Sequence, residues 1–330
     1  DVVAELAKSA IAYYKELPAE LRAPASRRNH ALALIRLGDV ANAQGRIDEA
    51  GVSIESAVGM IEELRAQGDD SDATRLAMAY ARVAQGQVIA SQANPAAAAQ
   101  KYRDALELLK SIAAQSAESK TAVALEGQAY LGLGRAEFRM PDDGSRQNVR
   151  DAKQHLMRAQ EIARTMNALD LTHLPASAIY LQAGLELAWA HDRIGELKET
   201  EEVAKETAVL ADRVLEMRPD YRPAILASAG VARVLADIEY NQRGRVSAAQ
   251  KHYQESRAAL ERLLALDTSK GAVWFNLAEV KFNIASTLRD LGRMQEAIQM
   301  LHEAITMADR FTLTPLMARN FAQWSGALAT

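Results

Sequence analysis

Apolar and small residues recur at helical spacing in the first part of the chain. A first stripe consists of Leu34, Leu37, Gly38 and Ala41. A second stripe consists of Ile47, Ala50, Ile54 and Ala57. Steps of three and four residues place side chains on one face of an α-helix, and Gly45, between the stripes, readily adopts the positive φ that reverses a chain. We therefore predict a hairpin of two helices whose small residues let the axes approach closely.

The hairpin pattern recurs five more times at a nearly constant interval of roughly 48 residues. The equivalents of Ala50 are Ala98, Ala152, Thr200, Ala249 and Ala297. Seven residues after each of these positions stand Ala57, Ala105, Ala159, Thr207, Ser256 and Ala304. The first-helix counterparts of Gly38 are Gly86, Gly134, Ala188, Asp237 and Ala285. One interval is longer, because residues 140–147 form a turn-rich insertion.

This pattern resembles the tetratricopeptide repeat, whose standard unit is about 34 residues long. The resemblance implies an all-α fold, a right-handed α-solenoid of antiparallel helical hairpins. We assign the additional length of each unit to both helices, which makes each helix about 20 residues, or ~30 Å, long.

The repeat spacing also predicts the division of the chain. Residues 1–25 form an N-terminal helix, or half repeat, with a linker, and residues 311–330 form a C-terminal helix that is a cap or a truncated seventh repeat. The six hairpins between them span about 26–68, 71–118, 119–168, 173–219, 222–267 and 269–310. Because the first helix repeats a second-helix pattern and the chain lacks an initiating Met, we expect it to be part of a longer protein.

Composition narrows the function classes. Hydrophobic residues make up 49% of the chain and aromatic residues only 5%, as is typical of closely packed helices. The net charge of −4 gives no general attraction to nucleic acid or to anionic membranes. The sequence contains no cysteine, which excludes disulfides and thiolate metal sites. We find no apolar run of membrane-spanning length, and we expect a cytoplasmic protein without membrane insertion.

Chemical motifs are weak throughout. Gly132 and Gly134 begin a pattern similar to a dinucleotide fingerprint, but it lacks the third glycine and a preceding strand. The histidines never show the paired spacing of a zinc site, and we expect each to be a surface or turn residue. Arg22, Arg27 and Arg28 are expected to form a solvated basic linker. We therefore predict no catalytic residues, no metal site and no cofactor.

The resemblance to tetratricopeptide repeats implies ligand-facing positions around the Leu-Gly pair of each first helix. Carried over residue by residue, it gives the candidate binding residues Arg36, Asp39, Asn42, Gln87, Arg135, Phe138, Arg139, Glu186, Trp189, Asp192, Arg193, Asn241, Asn283 and Arg289. The same register includes the apolar residues Ile35, Val83, Leu131, Val234 and Ile238. Trp189 and Phe138 are as compatible with packing between repeats as with ligand contact.

This mixture of aromatic, basic, acidic and amide side chains suits the recognition of a protein or peptide in a concave groove. Ile35, Asp39 and Ala84 replace the Lys and Asn residues with which some cochaperones bind chaperone C-termini, so we exclude that ligand. The long units and the Leu37-Gly38-Asp39-Val40 segment are similar to repeat regions of bacterial signalling proteins. We predict a non-catalytic scaffold or sensor region of such a protein. The alternative is a small-molecule sensor controlling an attached effector domain, and we also consider a homo-oligomer formed through the terminal repeats.

Overall fold

The computed structural model describes residues 2–16, 18, 23–142, 144–166, 173–266 and 271–308. Within them the chain forms thirteen α-helices and no strand. The helices are α1 Val2–Glu16, α2 Pro24–Ala43, α3 Ile47–Ala66, α4 Asp72–Ser91, α5 Pro95–Lys110, α6 Ser119–Phe138, α7 Gln147–Thr165, α8 Leu174–Ile194, α9 Leu197–Met217, α10 Arg222–Asp237, α11 Val246–Leu266, α12 Gly271–Asp290 and α13 Met294–Ala308. The all-α fold of helical hairpins predicted from the sequence is confirmed. The C-terminal helix predicted for 311–330 lies outside the described residues.

The chain divides into two compact units, unit 1 from Asp1 to Ala183 and unit 2 from Gly184 to Thr330. In unit 1, α2 packs on α3, α4 on α5 and α6 on α7. In unit 2, α10 packs on α11 and α12 on α13. The division falls inside α8, so the six equivalent hairpins inferred from the sequence remain a prediction.

Small residues mark the helix crossings, as the repeat pattern predicted. Every equivalent of Ala50 and of Ala57 is buried, including the polar residues Thr200, Thr207 and Ser256. A Cβ atom on Gly38 would lie 2.7 Å from the Ile54 side chain. The backbones of α2 and α3 therefore approach more closely than any larger residue would allow.

Turns and caps connect the helices, and the predicted turn at Gly45 is one of them. Gly45 has a φ of +77°, in the region that side chains other than glycine rarely adopt. Ser71 is the N-cap of α4, and its hydroxyl accepts a hydrogen bond from the backbone N–H of Thr74. Asn94 caps α5 in the same way, through the backbone N–H of Ala97.

The basic cluster at the start of α2 is not the solvated linker that we predicted. Arg27 donates to Glu63 at 2.7 Å, and Arg28 donates to Asp69 at 2.7 Å. Both arginines lie within α2 and join its N-terminal part to the end of α3 and the turn that follows it. Arg22 lies outside the described residues.

No helix in the described part of the chain is both long and apolar enough to cross a membrane.

Candidate functional site

The first helices of the three unit 1 hairpins form one surface. The helix α4 packs against α2 on one side and α6 on the other. We call the surface formed by these three helices the first-helix face. It carries two cavities, one near the C-terminal ends of the helices and one near their N-terminal ends.

The cavity near the C-terminal ends has a volume of about 380 Å³, and we call it the cationic pocket. Its lining residues are Asn42 from α2, Gln87, Ala90 and Ser91 from α4, Tyr102 from α5, Gly132, Arg135 and Ala136 from α6, and Arg139, the C-cap of α6. The structure therefore brings together four of the candidate binding residues, one from α2, one from α4, and two from α6 and its C-cap. No Asp or Glu is among the described residues that line it.

Asn42 lines the cationic pocket, and one of its polar atoms is unusual. Its side-chain Oδ1 is buried and has no hydrogen-bond partner among the described residues. Buried polar atoms nearly always have a partner, because leaving one without costs free energy. Because this atom is closed off from solvent, a ligand in the pocket does not contact it directly.

Tyr102 reaches the cationic pocket from the second helix of its hairpin. Its ring lies against Gly86 and Gly132, and a Cβ atom on Gly86 would come within 2.8 Å of ring carbons. Burial raises the pKa of Tyr102 to about 12, and the positive charges of Arg135 and Arg139 oppose this rise. The hydroxyl is therefore protonated at neutral pH and acts as a donor.

The sequence-based search missed Tyr102. It assigned ligand contacts only to first helices, whereas this side chain passes between two of them. The available signal was the pair of glycines, Gly132 and Gly134, on one helix. Gly134 lies at the crossing with α7, against Leu156, and Gly132 leaves room for the tyrosine ring.

Arg36 and Asp39 lie near the middle of α2, where Arg36 also lines the second cavity. Arg36 donates to Asp39 at 3.4 Å, and its guanidinium lies 5.4 Å from the centre of the Tyr80 ring. Burial raises the pKa of Asp39 to about 6, although the charge of Arg36 and its hydrogen bond lower it. Both residues are thus engaged in contacts within unit 1.

The second cavity, near the N-terminal ends of the helices, has a volume of about 440 Å³, and we call it the tyrosine pocket. It is lined by Ala25, Arg28, Asn29, Leu32 and Arg36 of α2, by Ala73, Leu76, Ala77 and Tyr80 of α4, and by Glu118 and Thr121 at the start of α6. Leu32, Leu76 and Tyr80 are half-buried and form its apolar walls.

Phe138 is half-buried near the C-terminal end of α6, and the cationic pocket next to it does not include its side chain.

The remaining candidate residues lie in unit 2, where Arg193, Asn241 and Arg289 are exposed and Glu186 and Asn283 are half-buried. Asn241 belongs to the π-helical segment Ile238–Gln242 that continues α10. The side chain of Arg289 donates to Asp290 at 3.0 Å.

Trp189 takes part in packing within unit 2. It lies against a buried cluster that includes Ala188 and Val234, and the Arg233 guanidinium covers its ring at 5.1 Å from the ring centre. Arg233 also donates to Glu279 at 2.6 Å. Neither Arg233 nor Glu279 was among the binding residues predicted from the sequence. In the last turn of α8, burial raises the pKa of the half-buried Asp192.

Several positions carried over from the repeat resemblance point inward. Ile35, Val83, Leu131, Val234 and Ile238 are buried in the core, so their assignment as ligand-facing is wrong. The polar residue next to some of them is accessible instead, as Arg36 is after Ile35. His191 is also not a surface residue, because it is buried and its Nδ1 lies 2.5 Å from a carboxylate oxygen of Glu196.

Comparison with protein families supports the repeat assignment. The tetratricopeptide repeat family matches residues 278–310, which include the end of α12 and all of α13. The resemblance to the tetratricopeptide repeat superfamily is confirmed by this match and by the similar structures described next. The chain matches no curated protein.

Solved structures with a similar fold cover between 79% and 100% of this chain. The apo form of RapI has a TM-score of 0.60 and 12% sequence identity over 100% of this chain and 82% of its own. The protein BtubC of P. vanneervenii has a TM-score of 0.52 and 16% identity over 79% and 93% of the two chains. The S. pombe nuclear import adaptor Nro1 has a TM-score of 0.52 and 14% identity over 94% and 98%.

These comparisons define the class of protein. The chain is a helical-repeat protein that shares its fold with these solved structures. At such low identities the similarity concerns the fold alone.

Proposed function

We propose that unit 1 binds an acidic segment of a partner protein on its first-helix face. The observation that carries this proposal is the cationic pocket. In it Asn42, Gln87, Arg135 and Arg139, from three successive first helices, line one cavity. Two guanidinium groups and two side-chain amides around one cavity suit a ligand that carries a carboxylate.

The hydrogen-bonding groups of the pocket favour a peptide over a small inorganic anion. The guanidinium groups of Arg135 and Arg139 pair well with carboxylates, and Tyr102 supplies a further donor. The exposed side-chain amide of Gln87 can both donate and accept, as pairing with a peptide backbone requires. A peptide with an acidic side chain therefore suits the set of groups that line the pocket.

The wider role that we propose is a non-catalytic scaffold or sensor region of a larger bacterial signalling protein in the cytoplasm. The similarity of the long units and of Leu37-Gly38-Asp39-Val40 to such repeat regions supports it. An adaptor role is stated for Nro1, which has a similar fold. Identifying an effector domain in the same polypeptide would test this role. Measuring the mass of the protein in solution would test whether it assembles through its terminal repeats.

The alternative function, small-molecule sensing, would use an open aromatic wall at Trp189. The Arg233 guanidinium covers that ring, and Arg233 is held by Glu279. These contacts favour the acidic-peptide proposal over the alternative.

The test measures the binding of a fluorescein-labelled poly-glutamate peptide by fluorescence anisotropy. The wild-type protein is expected to bind it, and more weakly as salt is added, because exposed charges are screened. Replacing both Arg135 and Arg139 with Gln is expected to lower the affinity at least about tenfold, through the loss of charge-assisted hydrogen bonds.

A matched control removes the same charge from the second helices of unit 1. Lys110 on α5 and Arg158 on α7 are exposed, and the double variant Lys110→Gln/Arg158→Gln loses two positive charges as well. If both double variants weaken binding equally, the peptide responds to net charge, and the proposed site is wrong.

A further inference from the structure

A third cavity lies in unit 2, on the side of its second helices. It is formed by α11 and α13 together with α12, which packs against both. Its volume is about 660 Å³, within the usual range for small-molecule sites. We call it the amide pocket, after the side chains of Gln250 and Gln254 from α11 and Gln299 from α13 that line it.

The three glutamines are available to a ligand. Gln250 and Gln254 are half-buried one turn apart on α11, and Gln299 is exposed on α13. None of their side chains makes a hydrogen bond with another described residue. Each side-chain amide offers two donors and an acceptor oxygen. A group that both donates and accepts hydrogen bonds, as a hydroxyl does, therefore suits both walls of the amide pocket.

The charges around the amide pocket are of both signs and are paired with each other. Lys281 of α12 donates to Glu303 of α13 at 2.6 Å, and Arg293 donates to Glu296 at 2.6 Å. An anionic ligand would be repelled by these carboxylates and a cationic ligand by their partners. A hydroxyl can donate to the carboxylate of a pair and accept from its cation while the pair stays intact. The charges therefore favour a ligand without net charge.

The apolar surface of the amide pocket is small. Leu288 of α12 and Met300 of α13 are the only apolar side chains among the described residues that line it. Most small-molecule pockets are lined mainly by apolar side chains, so this one offers little to an apolar ligand. We infer that the amide pocket binds an uncharged molecule with several hydroxyl groups, a saccharide or another polyol. The inference is independent of the proposed function, because all the lining residues belong to unit 2.

The test is saturation-transfer difference NMR of the complete chain with maltose, glucose and sorbitol, each at about 10 mM. Glutamate and putrescine are the charged comparison compounds. At least one polyol is expected to receive saturation and the charged compounds are not, and the response to sorbitol against the sugars shows whether a ring is required. Because the ligand is neutral, its affinity is expected to stay unchanged when salt is added, unlike that of poly-glutamate.

The double variant Gln250→Leu/Gln254→Leu tests the site itself. It keeps the charges of the pocket and removes the two amides of α11, so polyol affinity is expected to fall at least about tenfold. Gln154→Leu is the control, because Gln154 is exposed on α7, a second helix of unit 1, and its loss is expected to leave polyol binding unchanged. If urea unfolding shows that the double variant is destabilised, Gln299→Ala on the opposite wall replaces it and must weaken binding.

The remaining outcomes overturn the inference. They are the absence of saturation of all three polyols, stronger saturation of glutamate or putrescine, and equal polyol binding by wild type and the glutamine variants. Poly-glutamate anisotropy of the same double variant keeps the two proposals apart. Loss of polyol binding with unchanged poly-glutamate binding places the polyol in the amide pocket, and failure of either proposal leaves the other standing.

Discussion

The ring of Tyr102 occupies the space that a side chain on Gly132 would need. A Cβ atom added to Gly132 would overlap the ring carbons, although the two residues come from different hairpins. Tyr102 therefore reaches the first-helix face only because the next first helix has a glycine at this position. The glycine of one hairpin thus decides whether the tyrosine of the preceding hairpin can line the cationic pocket.

Gly132→Ala tests this relationship through stability. The new methyl group must displace the tyrosine ring, which is expected to cost about 1–3 kcal/mol in the free energy of unfolding, partly offset by better helix propensity. Gly59→Ala on α3 is the control, because no atom lies within 4 Å of the position of its Cβ, and there we expect stabilisation by about 0.5–1 kcal/mol. Urea unfolding measures both variants, and equal stabilisation of the two would contradict the packing described for Tyr102.

Two tyrosines at the same place in different repeats are expected to have different roles. Tyr102→Phe keeps the ring but removes a donor from the cationic pocket, so poly-glutamate affinity should fall several-fold while stability changes little. Tyr253 instead donates a hydrogen bond to the half-buried Asp237, and Tyr253→Phe should cost about 1–2 kcal/mol of stability without affecting the peptide. Anisotropy and urea unfolding of both variants check this, and a reversed pattern would rule it out.

Two buried threonines on α9 provide a direct comparison of hydrogen-bonded and unpaired hydroxyls. The Thr200 hydroxyl donates to the backbone carbonyl of Glu196 at 2.8 Å, whereas the Thr207 hydroxyl has no partner among the described residues. Thr207→Val is expected to be neutral or to stabilise by about 1 kcal/mol, because an unpaired buried polar atom is removed. Thr200→Val is expected to destabilise by about 1 kcal/mol. Chemical unfolding that orders the variants the other way would show that the Thr207 hydroxyl is satisfied.

Asp39 is expected to make stability fall as pH rises through weakly acidic values. Burial raises its pKa from 3.8 in the unfolded chain to about 6 in the folded one, so the folded state holds the proton more tightly. Its contribution to stability is present below pH 4 and is lost as pH rises to about 6. Asp39→Asn should therefore be more stable than wild type above pH 6, by about 1 kcal/mol, since partial exposure of the carboxylate screens the effect.

Asp69 supplies the control of opposite sign in the same unit. Hydrogen bonds, first from Ser71 and then from Thr74, together with the charge of Arg28, hold the pKa of Asp69 at about 2. Its contribution is present above pH 4 and is lost as pH falls towards 2, so Asp69→Asn should be less stable than wild type at neutral pH. Unfolding curves recorded from pH 3 to 8 check both residues, and parallel pH profiles for wild type and Asp39→Asn would contradict the burial effect.

Much of the fold was predictable because it depends on local periodicity. Steps of three and four residues made α2 and α3 recognisable, and Gly45 marked the turn between them. The candidate site was predictable only in part. Asn42, Gln87, Arg135 and Arg139 do meet in one pocket, while the apolar residues of the same register, such as Ile35 and Val83, face the core. Whether a residue is polar or apolar separates the pocket-lining residues from the core residues better than its position in the repeat does. Apolar side chains gain free energy from burial at any position in the repeat.

The spacing of residues along the chain is enough to define a series of helical hairpins, because small residues at a constant interval permit close helix crossings wherever they occur. Which side chains share a pocket follows instead from how the helices pack together. The rotation of each helix about its axis depends on the neighbours it packs against, so Ile35 and Arg36, adjacent in sequence, face opposite environments. Tyr102 enters the cationic pocket through the space left at Gly132, and contacts between residues so far apart in sequence leave no periodic signal along the chain.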